Sequence, residues 1–181
     1  MQLMTQTSSE TILETTLPYS RFAQRLLESE PYLRTSLIDN LSRPYLREEM
    51  QTYLDSHTTN NLDESILNQA LRVLRKQVFL RIVIRDLAGL ANLSEVMTGM
   101  TNLAEVTINF ALKHHQAWLV DLNHFGHPIG DNSGTTQQMH VIAMGKLGGR
   151  ELNVSSDVDL IFAYPEDGET NGAKSVSNQA F

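Results

Sequence analysis

Two aspartates one residue apart, Asp157 and Asp159, follow the glycine pair Gly148-Gly149 after a spacer of seven residues. They sit in the run His140-Val-Ile-Ala-Met-Gly-Lys-Leu-Gly-Gly-Arg-Glu-Leu-Asn-Val-Ser-Ser-Asp-Val-Asp-Leu-Ile-Phe-Ala-Tyr164. Two acids flanking one apolar residue in an alternating run predict both carboxylates on one face of a strand. Magnesium is a hard cation that takes oxygen ligands, and it is commonly held by one or two carboxylates plus substrate phosphates. Metal held this way can assist an in-line displacement at phosphorus. Amides near Gly148 and Gly149 could approach phosphate oxygens closely, because glycine has no side chain to keep them away. Lys146 and Arg150 could add positive charge against developing negative charge. Ser155 and Ser156 could donate to a phosphate or orient an aspartate. The spacing therefore points to a site for a divalent metal and a nucleotide.

The elements that must hold these residues are two short β-like runs, Met139 to Met144 and Val158 to Tyr164, with a short helix expected over Gly148 to Asn153. The tail from Glu166 to Asn178 is polar. Asn123 to Gln138, with Gly126, Pro128, Gly130 and Gly134 in quick succession, reads as a linker or long loop and as the domain boundary. Everything before it reads as helix. Phe22, Leu26 and Leu27 recur at helical spacing. Pro31 and Pro44 can each open a further helix, through Leu33 and Leu37 and through Met50 and Leu54. A long helix is expected from about Asp63 to Leu90, with Ile66, Ala70, Leu74, Val78 and Ile82 on one face and Gly89 as its stop. Asn92, with Glu95 three residues later, opens another helix running to about Leu122. Gly99 counts against that helix, since glycine costs roughly 1 kcal/mol there relative to alanine. Residues 1 to about 17 are rich in Thr and Ser and are expected to be frayed.

The chain has 181 residues, 41% of them hydrophobic, and a net charge of −7. An acidic balance argues against a nucleic-acid substrate, which needs many Lys and Arg to neutralise phosphates. No cysteine is present, which excludes disulfides, zinc-thiolate sites and a cysteine nucleophile and fits a reducing compartment. Neither a signal peptide nor a membrane span is legible. The fold class is α+β: a helical leader over 1–131, then the start of a catalytic domain over 138–181. Two strands and a short helix cannot bury a core of their own, so the chain reads as a piece of something longer.

Gly-Gly, a spacer and Asp-apolar-Asp-apolar resemble the signature of the polymerase-beta-like nucleotidyltransferase superfamily. The longer string Met144 to Asn153, followed by Ser-Ser-Asp-Val-Asp-Leu-Ile-Phe-Ala-Tyr-Pro165 and Gly168-Glu-Thr170, resembles one family closely. That family is the bifunctional glutamine synthetase adenylyltransferase and adenylyl-removing enzyme of bacteria. Leu80 to Leu90 and Ser177 to Phe181 are similar to it as well. The resemblance implies the amino-terminal of two nucleotidyltransferase domains, which removes AMP from a tyrosine of glutamine synthetase by phosphorolysis, giving ADP. The missing second domain would add AMP from ATP. By motif position, Asp157 and Asp159 would be catalytic metal ligands and Gly148 and Gly149 a phosphate-facing turn. A third carboxylate is expected beyond Phe181, which would leave the fragment inactive alone. The implied cofactors are Mg2+ with ATP, ADP and phosphate. The implied partners are glutamine synthetase and the PII regulatory protein, in the cytoplasm.

Two other readings compete. One is a helical protein-interaction module carrying a degenerate site. The other is a related transferase acting on RNA or a small molecule. His114, His115, His124 and His127 lie close in sequence, but their spacing does not place three on one helical face, so they read as surface or linker residues. The basic pairs Arg72/Lys76 and Arg81/Arg85 read as a solvated face or as contacts to the rest of a longer protein, and Trp118 as core.

Overall fold

The computed structural model describes residues 8–58, 63–121 and 124–181. The expected α+β class holds: helices come first and short antiparallel strands follow. The helices are α1 (Ser9–Thr16), α2 (Arg21–Ser29), α3 (Leu33–Asn40), α4 (Arg47–His57), α5 (Glu64–Leu87) and α6 (Leu93–Asp121). They are followed by β1 (Pro128–Gly130), β2 (His140–Ala143), the one-turn helix α7 (Gly145–Gly148), β3 (Leu160–Ala163) and β4 (Gly168–Thr170). The chain forms two compact units. One runs to Val106 and includes Glu151–Ser155; the other comprises Thr107–Arg150 and Ser156–Phe181.

In the first unit the helix signals act as the sequence suggests. Asp63 caps α5, its carboxylate accepting the Ile66 N–H at 2.8 Å. Gly89 ends that helix at φ +69°, a left-handed conformation that glycine adopts without steric cost. Asn92 accepts the Glu95 N–H at 2.9 Å and opens α6. Leu67, Leu74, Val78 and Ile84 of α5 are fully buried. Each such side chain is worth about 1.5–3 kcal/mol relative to exposure. Ile66, expected on that face, is 39% exposed, and Leu67 takes its place.

Three expectations for this unit are corrected. The Thr-rich start does not fray over its described residues: Ser9–Thr16 is helical, Ser8 caps it, and Leu13 is fully buried beside Leu37, Leu80 and Ile84. Gly99 is no mere liability, because a Cβ there would lie 2.8 Å from Ile82 Cδ1; its bareness lets α6 approach α5. Arg81 and Arg85 do not form a solvated face, since both are buried. Arg85 donates from Nε and Nη2 to the Glu95 carboxylate at 2.7 and 3.0 Å. It also reaches the Leu41 and Leu90 carbonyls at 2.6 and 3.0 Å. Arg81 lies over the Tyr45 ring at 4.2 Å, its Nη1 is buried without a partner among the described residues, and burial pulls its pKa down. Of the other pair, Arg72 is exposed and Lys76 pairs with Glu30.

In the second unit the segment expected to be a linker contributes a strand. β1 pairs antiparallel with β4, and Ile129 also bridges to Thr136. Glu166 holds the intervening turn: its carboxylate accepts the Asn132 and Ser133 N–H groups at 2.9 and 3.1 Å. The other sheet is the antiparallel pair β2–β3, with Ile142 opposite Ile161 and Val141 opposite Phe162. Val141, Leu160 and Phe162 face the second half of α6 across an apolar groove of about 380 Å³, which Ile108, Leu112 and Leu119 line from the helix.

Candidate functional site

The positions singled out for chemistry lie in the connection between β2 and β3. The strand pairing fixes its ends, because Ala143 is opposite Leu160 and the Met144 N–H donates to the Asp159 carbonyl at 2.9 Å. Regular strand begins only at Leu160, so Asp157 and Asp159 precede β3 where the sequence suggested they lay inside it. Asp159 nevertheless continues the ladder through its backbone. Strand alternation then puts its side chain on the face of Ile161, opposite the face that lines the groove. Both aspartates are exposed, and among the described residues neither carboxylate is engaged in a hydrogen bond or ion pair.

The short helix is displaced from its expected position. It runs over Gly145–Gly148 and precedes the 149–153 segment. The glycine pair therefore closes a helix where it was expected to open one. The Gly148 and Gly149 N–H groups donate to the Met144 and Gly145 carbonyls at 3.2 and 3.0 Å. In this conformation those two amides are committed to the turn. Gly148 also has a steric reason to be glycine: a Cβ would sit 2.4 Å from the Ala143 carbonyl oxygen. Arg150 leaves the turn at φ +58°.

Antiparallel pairing brings α7 back beside the stretch before β3. Lys146 Nζ donates to the Ser156 hydroxyl at 3.2 Å, so an ammonium is held next to the residue that precedes Asp157. Ser155 belongs to the segment grouped with the first unit, and its N–H and hydroxyl both donate to Asn153 Oδ1. The structure thus brings together Lys146 and Ser156, while Ser155 is turned to Asn153. Exposed, unengaged carboxylate oxygens suit a hard divalent cation. Among the described residues no group of three or more His, Cys, Asp or Glu side chains is gathered. The histidines of α6 contact aromatic rings: His114 lies tilted against Phe110 at 4.5 Å and His115 edge-on to Trp118 at 5.1 Å.

One feature escaped the spacing argument. Ile142, Met144 and Ile161, at 48%, 45% and 49% exposure, form an apolar strip on the face of Asp159. The signal was present in the sequence, since Val141-Ile-Ala-Met144 and Leu160-Ile-Phe-Ala163 are apolar at successive positions. Such runs mark strands meant to be covered on both faces.

The architecture defines an α+β protein whose charged cluster is carried on a hairpin connection. The family profile described as glutamate-ammonia ligase adenylyltransferase matches residues 11–181, and the chain belongs to that family. It is 54% identical over 170 residues to the bifunctional glutamine synthetase adenylyltransferase/adenylyl-removing enzyme of Nitrosomonas eutropha, and 55% identical to that of Nitrosomonas europaea. In each case the match covers 94% of this chain and 18% of the relative. The protein of the same name from Chromobacterium violaceum is 45% identical over 163 residues, or 90% of this chain. The chain therefore spans under one fifth of the length of these relatives.

Proposed function

We propose that this chain carries part of a metal-dependent adenylyl-removing site, which acts in a longer protein to strip AMP from a tyrosine of glutamine synthetase. The observation that carries the reading is the exposed, unengaged pair Asp157 and Asp159, which follows Ser156 of the Lys146–Ser156 contact and just precedes a strand. The names of the relatives support it, since they couple adenylyl transfer with adenylyl removal. In the reaction an oxygen of inorganic phosphate attacks the adenylyl phosphorus. The bond from phosphorus to the tyrosyl oxygen breaks, the phenolate takes up a proton, and ADP leaves. Asp157 and Asp159 would hold Mg2+, which when bound supplies positive charge to the phosphoryl oxygens. Lys146, whose ammonium donates to Ser156, would add positive charge to the same connection. Addition of AMP from ATP, response to the PII protein and a cytoplasmic location belong to the same proposal for the whole protein.

The test is phosphate-dependent release of ADP from adenylylated glutamine synthetase by the longer protein that contains this chain. Asp157→Asn and Asp159→Asn should each lower the rate by roughly 100-fold or more, the scale of losing charge stabilisation in a transition state. Unchanged rates in both variants would remove the assignment.

A further inference from the structure

The connection that carries the acidic pair changes unit twice. Residues up to Arg150 and from Ser156 onward belong to the unit of the two sheets, while Glu151–Ser155 belongs to the helical unit. Within that stretch Leu152 is 2% exposed, whereas Glu151, Val154 and Ser155 are exposed. Taking a leucine side chain out of water is a strong hold for so short a stretch. The backbone on either side is fixed as well. Before it, the Arg150 N–H donates to the Leu147 carbonyl at 3.0 Å. At its end, the Ser155 N–H and hydroxyl donate to Asn153 Oδ1 at 3.1 and 3.2 Å. Further on, the Asp159 carbonyl accepts the Met144 N–H at 2.9 Å. The bridge from the anchored stretch to the ladder is therefore Ser156, Asp157 and Val158. Asp157 is the middle of that bridge, so its conformational range is set by how firmly the stretch before it is held.

We propose that Leu152 is a positioning residue for the acidic pair: its burial in the helical unit fixes the chain just ahead of Asp157 and so holds the two carboxylates ready for one divalent cation. This deepens the reading above and rests on it. The magnitude follows from chain statistics. With the anchor in place the bridge is residues 156–158, and without it the bridge runs over residues 151–158. The chance that a bridge occupies one placement falls as about the three-halves power of its length, so releasing Leu152 costs about fourfold in affinity for the cation. The same arrangement makes the acidic pair answer to the helical unit, because any change there that loosens Leu152 weakens the cation site.

The experiment titrates Mn2+, which takes the same oxygen ligands as Mg2+, into the chain and follows paramagnetic broadening of the Asp157 and Asp159 amide signals. Leu152→Ser removes the anchor without adding charge and should raise the midpoint concentration about fourfold. Leu152→Met refills the site and should restore the native midpoint. Leu54→Ala opens a cavity at another fully buried leucine of the helical unit. It should lower stability and leave the Mn2+ midpoint native. Two glycines inserted between Ser155 and Ser156 lengthen the bridge with Leu152 still in place. They should raise the midpoint about twofold, and they keep the test available if Leu152→Ser fails to fold. Native midpoints in both Leu152→Ser and the insertion, or an equal rise in Leu54→Ala, would overturn the anchor. The reading of the acidic pair would survive that result as long as Asp157→Asn abolishes the broadening. If the native chain showed no broadening at these amides, or Asp157→Asn left it unchanged, that reading would fall and the anchor with it.

Discussion

The Arg85 contacts make a quantitative prediction about the helical unit. The guanidinium is buried and joins three places in the chain: the Leu41 carbonyl after α3, the Leu90 carbonyl after α5, and the Glu95 carboxylate in the first turn of α6. Replacing it by Met keeps most of the volume and removes every donor. The carbonyl of Leu41, a fully buried residue, then loses this donor, and Glu95 keeps its charge without a partner. Breaking a fully buried pair costs about 3–5 kcal/mol. The Glu95 side chain is 24% exposed, so water recovers part of that, and the unsatisfied carbonyl adds about 1 kcal/mol. The expected loss is about 3 kcal/mol. With a urea dependence of about 1.5 kcal/mol per molar, the midpoint followed by helical circular dichroism should fall by about 2 M. Glu95→Gln keeps an acceptor for the guanidinium and should cost less. Combined with Arg85→Met, the two should show a coupling of about 1–2 kcal/mol, because they remove the same interaction. A midpoint within about 0.3 M of the native one, or strictly additive losses, would refute the account.

Three further outcomes follow from particular contacts. Gly99→Ala should be worth about 1 kcal/mol more in an Ile82→Val background than in the native chain, because that change removes the Cδ1 atom 2.8 Å from the added Cβ; equal effects on the unfolding midpoint would count against the packing argument. Gly148→Ala meets backbone at 2.4 Å and should move the amide resonances of residues 145–160 while helical circular dichroism stays unchanged; an unperturbed spectrum would show that the close approach does not exist. Hydrogen bonds from Ser133 and then Asn132 hold Glu166 below its ordinary pKa of 4.5. A depressed folded value means that the stabilisation is complete above pH 4.5 and is lost as pH falls through the lower folded value. Amide protection at Asn132 and Ser133 should therefore drop on acidification below that point, and Glu166→Gln should abolish the pH dependence.

Helix ends in this chain were legible because their signals are local. Asp63, Gly89 and Asn92 act within one turn of themselves, and the structure shows each at work. The α1 helix was not, because it offers a single fully buried leucine in a polar stretch, too little for a periodic pattern. Arg81 and Arg85 have the spacing of a surface pair, and spacing cannot say which way a helix faces. What buries Arg85 is Glu95 together with two carbonyls, none of them on its own helix. The β1–β4 pair escaped for a related reason: its strands have three residues each, and the partners lie about forty residues apart. In the candidate site the acidic pair and the nearby lysine were readable from residue type. The position of the one-turn helix was not, since Gly-Gly fits the end of a helix as well as its approach.

The apolar runs beside the acidic pair bear on chemistry as well as on folding. An isolated antiparallel pair facing water would alternate apolar with polar residues. Here Val141, Leu160 and Phe162 line one face, while Ile142, Met144 and Ile161 lie on the other. Two exposed carboxylates in open water interact weakly with an ion or a phosphate, because the solvent screens them. Covering the Ile142–Ile161 face with any apolar group would remove water from one side of Asp159 and strengthen every charge interaction there. A bare pair of acids on a polar strand would gain nothing of the kind. The apolar strip thus ties coverage of this sheet face to the strength of charge interactions at Asp159.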